Sequence, residues 1–252
     1  MNSLSKLIQK LNFNFFTKKT TAIIYYVYIN PAKNWQRLIS DQLEDVKNTG
    51  VFAAADLYIV VSNPFKATDV DLFFEKIDVS YKEIEFHREN KFEYWGMFFI
   101  WKLVHSSSQY QYIVYFHTKG MTHTESSRVK TEKLLTGSLF KDWKLFISLF
   151  KKNNKINKIG LFPAWKVNDQ GEIVRGGWIW YNFWWARADY IKALEQPKID
   201  PKHRFYYEEW LSYPVPDTKN KLYDSYSIYS KTVSSYTNKE VLEITEKLIK
   251  TY

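Results

Sequence analysis

The stretch YIVYFHTKG, residues 112–120, runs from an unbroken apolar segment straight into His117, Thr118, Lys119 and Gly120. An imidazole, a hydroxyl and an ammonium at one strand end, beside a glycine where backbone can approach closely, suit an anionic ligand. Lysine set against a diphosphate makes charge-assisted hydrogen bonds. The plainer reading of His117 is a side chain tied to a neighbouring loop. A second concentration is aromatic: Trp178, Trp180, Trp184 and Trp185 crowd into residues 178–185. Pyranose rings stack their C–H faces on Trp and Tyr, although core packing accounts for at least half of these rings. On a strand, Trp178 and Trp180 would share a face with Asn182, whose amide can bond sugar hydroxyls, and Trp184 or Trp185 would point the other way. Asp69-Val70-Asp71 has the spacing of a metal-binding pair, but it stands at a helix start, where aspartate commonly caps.

These residues need elements to place them. TAIIYYVYINP reads as a strand over 21–29, and NWQRLISDQLEDVKNTG as an amphipathic helix capped by Asn34 and ended by Gly50. DLYIVVSNP is a second strand. TDVDLFFEK is a short helix capped by Thr68 or Asp69, and EIEFH is a third strand. KFEYWGMFFIWKLVHSS is apolar nearly all round and reads as a buried helix, followed by the strand Tyr110 to Phe116. Arg128 to Lys151 reads as helix with a break at Gly137-Ser138, and KIGLFPAW as a strand. WIWYNFWWARADYIKAL begins extended and turns helical near Ala186. RFYYEEWLSY is a short helix, residues 213–236 are irregular, and the last helix opens on the capping box Thr237-x-x-Glu240.

Strand and helix alternate through the first half. The expected fold class is therefore α/β: a single open, mostly parallel sheet flanked by helices, with ligands at the carboxyl ends of the strands. That edge would carry Tyr28, Asn30, Asn63, His87, Arg88, His117, Thr118 and Lys119. The expected organisation is an N-terminal amphipathic helix over 1–19, a main unit over 20–212, and a segment over 213–252 belonging to the same domain.

The 252 residues carry a net charge of +9, which favours a polyanionic partner such as nucleic acid, an anionic membrane or a phosphorylated ligand, or reflects a lysine-rich solvated surface. Ten Trp, 19 Tyr and 18 Phe suit both a thick core and sugar binding. No cysteine is present, which excludes disulfides and thiolate metal sites. No run is long and apolar enough to span a bilayer. The lysine-interrupted N-terminus is a poor secretory signal, so a cytoplasmic location is expected. Its helical spacing of Leu4, Leu7, Ile8, Leu11 and Phe15 among lysines fits either packing on its own domain or peripheral contact with an anionic inner membrane face.

The order strand, YFHTKG, helix, YNFWWARADYI, RFYYEEW resembles a group of small glycosyltransferases of surface-glycan genes, with an A-type nucleotide-sugar fold. Their pattern is LYLHTKG, GNFWWA and a late RF..E.W. Asn90, Glu93 and Tyr94 match a further Asn-x-x-Glu-Tyr element, and the likeness spans about residues 20 to 212. It departs at Tyr181, where the family has a small residue, and at GGWIW, where it has a histidine. The resemblance implies a nucleotide-sugar donor near Tyr28, Asn30, Asn90, Glu93 and His117 to Gly120. It implies a glycan or glycolipid acceptor near Trp180, Asn182, Trp184, Trp185 and Arg204. Glu208 matches the family's glutamate and is the first candidate for the base that takes the acceptor proton, with Glu209 beside it and Asp189 second. In A-type transferases the strand at this place commonly ends Asp-x-Asp, which holds a divalent ion. His117 and Lys119 stand there instead. The expectation is that no cofactor is required, Lys119 neutralising the diphosphate directly, with Mn²⁺ or Mg²⁺ as the alternative.

Two other classes compete. A non-catalytic carbohydrate-binding protein on the same scaffold would keep the aromatics and dispense with Glu208 and Lys119. A nucleic-acid-binding module would gather its basic residues into a stripe, whereas here they are scattered and no RNA-binding signature occurs, so no nucleic-acid partner is expected.

Overall fold

The computed structural model describes residues 18–119, 126–167, 170, 173–175, 177–199, 205–212 and 224–251. Residues 1–17 of the expected N-terminal helix, and Gly120 and Arg204 among the expected site residues, lie outside them.

Three nearly continuous apolar runs become β1 (Thr21–Tyr28), β2 (Ala55–Ser62) and β4 (Tyr112–His117), and the half-exposed EIEFH becomes β3 (Glu83–His87). Strands buried on both faces have no reason to alternate, which is why the runs do not. Between them lie α1 (Trp35–Asn48), α2 (Val70–Lys76) and α3 (Tyr94–Ser106). The Asn34 side chain accepts from the Arg37 N–H at 3.2 Å and caps α1, and Gly50 takes the left-handed φ of 73° that ends it. Asp69 precedes α2 but makes no side-chain cap bond, because it stands in a left-handed conformation (φ 63°).

The second half is more broken than expected. Helices α4 (Ser126–Phe140) and α5 (Trp143–Lys152) divide at Lys141-Asp142 rather than at Gly137-Ser138. The Gly137 carbonyl still accepts from the Lys141 N–H at 2.9 Å, and the next carbonyl to start a helix is Asp142's. The strand expected from KIGLFPAW is only β5 (Lys158–Gly160), followed by a small pair, β6 (Lys166–Val167) and β7 (Ile173–Arg175). A tight turn over Trp180–Asn182 leads into β8 (Trp184–Arg187) and α6 (Ala188–Lys192). Then come α7 (Tyr206–Glu209), β9 (Ser225–Ser227), β10 (Thr232–Val233) and α8 (Asn238–Ile249), which opens on the expected Thr237–Glu240 capping box. Strands β9 and β10 fall inside the stretch expected to be irregular.

The expected architecture holds: one open eight-stranded sheet, ordered β10-β9-β5-β8-β4-β1-β2-β3. Strands β3, β2, β1, β4, β5 and β9 run one way, and β8 and β10 run against them. Side chains alternate into two cores. Ile23, Tyr25, Val27, Val114, Phe116 and Trp185 face α1, α4, α5 and α8. Ile24, Tyr26, Ile113, Tyr115 and Trp184 face α3, α6 and α7.

Candidate functional site

Parallel register brings the expected strand ends to one edge. Tyr28 pairs with Ser62, Ser62 with His87, and Tyr26 with His117. Thr118 closes the β1–β4 step. It is buried, and its Oγ1 accepts from the Tyr28 N–H at 2.9 Å. The Tyr28 ring is half-buried, with Phe65 edge-on at 6.3 Å. Asn30 and Asn90 are turn formers whose side-chain oxygens accept from the N–H groups of Ala32 and Phe92, each at 3.0 Å. Beside β2 and β3 the same edge carries a hollow of about 560 Å³ lined by Asn63, Lys66, Asp69, Asp71, Phe86 and Arg88.

The densest chemistry sits at the end of β4. Helix α3 reaches it because Gly96 lets the helix lie against the sheet: a Cβ there would stand 2.9 Å from the Tyr115 ring. Glu93, at the start of α3, then turns inward. Its Oε2 accepts from Tyr115 Oη at 2.9 Å and from Asn182 Nδ2 at 2.6 Å. The same amide nitrogen donates to the Tyr207 carbonyl at 3.3 Å, and Trp184 Nε1 donates to Asn182 Oδ1 at 2.6 Å. Burial, then the Glu93 charge, hold the Tyr115 phenol well above its ordinary range, so it remains a donor.

His117 lies beside this cluster. Burial first, then the Lys119 charge, push its pKa from 6.5 to about 3. The neutral ring donates from Nε2 to the Tyr181 carbonyl at 3.0 Å, and its 3.8 Å approach to Glu93 Oε1 is therefore not an ion pair. Lys119 Nζ lies over the Tyr181 ring, 4.7 Å from its centre. Tyr181 and Asn182 hold successive left-handed conformations, φ 67° and 59°. Strain of this kind costs on the order of 1–3 kcal/mol per residue and gathers at functional sites.

Of the candidate carboxylates, Glu208 joins the site. It is half-buried on α7, next to the Tyr207 carbonyl that Asn182 grips, and its charge acts on His117. Glu209 is half-buried on the same short helix. Asp189 does not join them. β8 runs antiparallel to β4, with Arg187 opposite Tyr112, so α6 starts at the far edge of the sheet and Asp189 is exposed there.

The tryptophans divide differently from expectation. The turn over Trp180–Asn182 replaces a strand, so alternation does not order Trp178, Trp180 and Asn182. Trp184 and Trp185 are both fully buried on opposite faces of the sheet, in the core rather than on a sugar platform. Trp180 is half-buried and donates from Nε1 to the Tyr236 carbonyl at 2.9 Å.

Sequence reasoning passed over Tyr115 and Tyr207, which read as core aromatics, and noted Tyr181 only as a departure. No local signal marked them: Tyr115 meets Trp184 only through the antiparallel pairing of β4 with β8, which brings together residues far apart in the chain. Among the described residues no group of three or more His, Asp or Glu could hold a metal ion, and Asp69 and Asp71 are both exposed.

No protein-family model matches the chain, and no curated protein matches it. Solved structures align along nearly its whole length at very low identity. HddC from Yersinia pseudotuberculosis is 9% identical, with a TM-score of 0.43, covering 91% of this chain and 99% of its own. A protein from Desulfovibrio desulfuricans G20, described as a "putative nucleotide-diphospho-sugar transferase", is 13% identical, with a TM-score of 0.38, covering 93% and 98%. The functional reading therefore rests on the side chains of the site.

Proposed function

We propose that the chain is a glycosyltransferase that moves a sugar from a nucleoside-diphosphate donor to a glycan or glycolipid acceptor in surface-glycan synthesis. The observation that carries this is the Lys119 ammonium lying over the Tyr181 ring at the carboxyl end of β4, with His117 bonded to the same residue and Glu208 next to the Tyr207 carbonyl that Asn182 grips. In the reaction an acceptor hydroxyl oxygen attacks the anomeric carbon, and the bond from that carbon to the diphosphate oxygen breaks. Glu208 takes the hydroxyl proton. The Lys119 ammonium offsets the charge that develops on the departing nucleoside diphosphate. Asn182 is buried, with its amide committed to Glu93, Trp184 and the Tyr207 carbonyl, so it braces the site from beneath and leaves sugar contacts to other groups.

A divalent ion does not fit this strand end. A charged lysine is no ligand, and His117 Nε2 is committed to a carbonyl. We read donor binding as metal-independent and the protein as cytoplasmic. No helix of the described residues is long and apolar enough to cross a membrane.

A thermal-shift screen against UDP-, GDP-, dTDP- and CMP-sugars, each with Mn²⁺ and with EDTA, tests the reading. A ligand that binds the native state alone raises the melting temperature. The expected result is stabilisation by one nucleotide class that survives EDTA. Stabilisation only with Mn²⁺ would overturn the role given to Lys119 and keep the transferase. Stabilisation by free glycans and by no nucleotide sugar would replace the transferase with a carbohydrate-binding protein.

A further inference from the structure

We propose that Tyr181 is the positioning residue for the Lys119 ammonium, a fixed aromatic shelf that holds the charge where the donor diphosphate arrives. This rests on the reading of Lys119 as the diphosphate-binding group. Three contacts converge on Tyr181. Its ring lies under Lys119 Nζ, its carbonyl accepts from His117 Nε2 at 3.0 Å, and its hydroxyl meets Thr245 Oγ1 of α8 at 3.2 Å. The first two bind it to Lys119 and His117 at the β4 end, and the third ties the ring to the C-terminal helix. Thr245 is itself buried, so the far end of the ring is anchored in packed structure.

The backbone argues the same way. A φ of 67° favours glycine, yet the chain places a large ring there. Glycine would relieve the backbone strain but would leave the lysine's flexible four-carbon stem without this surface. An ammonium over a ring face is attracted by the ring's quadrupole, and a charge already in place loses less freedom when its ligand binds. Tyr181 thus acts through Lys119 without needing to touch the donor.

The test compares Tyr181→Leu, which removes the ring, with Tyr181→Phe, which keeps it and loses only the hydroxyl. Tyr181→Met replaces the leucine variant if that one does not fold. Binding of UDP, GDP, dTDP and the matching monophosphates is measured by calorimetry. For the diphosphate that the parent binds, loss of the ring should weaken affinity by about three- to tenfold, and Tyr181→Phe should stay within about twofold. Monophosphate affinity should change less. In protein carrying ¹³C-labelled lysine, the Lys119 methylene signals, assigned by their absence in Lys119→Arg, should be shifted upfield in the parent and in Tyr181→Phe, and return in Tyr181→Leu. Unchanged diphosphate affinity in a folded ring-less variant would overturn the proposal, as would equal losses in the Phe and Leu variants. A parent that binds no nucleoside diphosphate would sink the donor reading itself. The upfield signature would then decide the Tyr181–Lys119 contact alone, its presence keeping the shelf and its absence removing it.

Discussion

His117 and Glu132 are joined by a buried chain of hydrogen bonds and titrate in opposite directions. Gln42 Nε2 donates to the His117 carbonyl at 3.2 Å and to Thr136 Oγ1 at 3.1 Å, and Thr136 donates to Glu132 Oε1 at 2.9 Å. Burial first, with Asp45 and Asp41 of α1 adding to it and Lys133 and the Thr136 bond opposing, lifts Glu132 from 4.5 to about 7. Lys119 adds to the burial of His117, while Glu208 and the Tyr181 carbonyl oppose it. The unfolded chain takes up a proton at His117 that the native state refuses, so stability falls as pH drops from about 6.5 to about 3. The native state keeps a proton at Glu132 that the unfolded chain releases, so stability falls as pH rises from about 4.5 to about 7. Where the windows overlap the slopes oppose, each at most about 1.4 kcal/mol per pH unit. Glu132→Gln should remove one limb. Urea titrations should find the variant more stable than the parent at pH 8 and more steeply weakened between pH 6.5 and 4.5. Curves of the same shape for both proteins would show that Glu132 does not titrate in this range. His117 and Lys119 were legible in the sequence because a strand end announces itself. Glu132 was not, since its burial depends on Gln42, which lies 94 residues from Thr136 in the chain.

Elements bounded by local chemistry were the legible ones. The Thr237–Glu240 capping box starts α8 and Asn34 starts α1, because each cap satisfies N–H groups within one turn. Strand β3 matches EIEFH residue for residue. The elements misjudged are those whose limits are set from outside. β5 stops at Gly160, where a Cβ would stand 2.2 Å from the Ile179 side chain, and the turn before β8 is held by distant partners. Gly96 shows how one element places the site. Alanine there gains helix propensity of about 1 kcal/mol, but its Cβ would meet the Tyr115 ring at 2.9 Å and the Tyr26 Cβ at 3.1 Å. Neither neighbour can yield easily: both are buried, and the Tyr115 hydroxyl is tied to Glu93. Overpacking costs about 1–3 kcal/mol and outweighs the propensity gain. Gly96→Ala should lower the urea midpoint and, by pushing Glu93 off Asn182, weaken donor binding as well. A variant as stable as the parent would mean that α3 shifts without cost.

At the scale of the whole molecule, the parallel direction of the first four strands follows from alternating strand and helix, but the second half of the sheet does not. Strands of two to four residues carry little periodicity, and β9 reaches β5 across more than sixty residues. What fixes that pairing is polar. Lys158, fully buried, sits 3.1 Å from Asp224 Oδ1, and its Nζ donates to the Gly177 carbonyl at 2.9 Å and to Tyr190 Oη at 3.0 Å. Asp224 also accepts from Asn157 Nδ2 and Ser225 Oγ, at 3.0 and 2.9 Å. Burial opposes the lysine's charge, but Asp224 and Tyr190 more than offset it, and the net direction is upward, so the ammonium persists. A buried pair with its hydrogen bonds filled holds one register and penalises others. Removing one partner leaves the other charge stranded. Lys158→Met should therefore cost about 3–5 kcal/mol, while Lys158→Met with Asp224→Leu should recover most of that loss, since an apolar pair of similar volume removes both desolvation penalties. Chemical denaturation of the two variants measures this directly. Equal losses in the single and the double variant would show that Lys158 stabilises through its bonds to Gly177 and Tyr190. The joining of β5 to β9 would then rest on backbone pairing and not on charge.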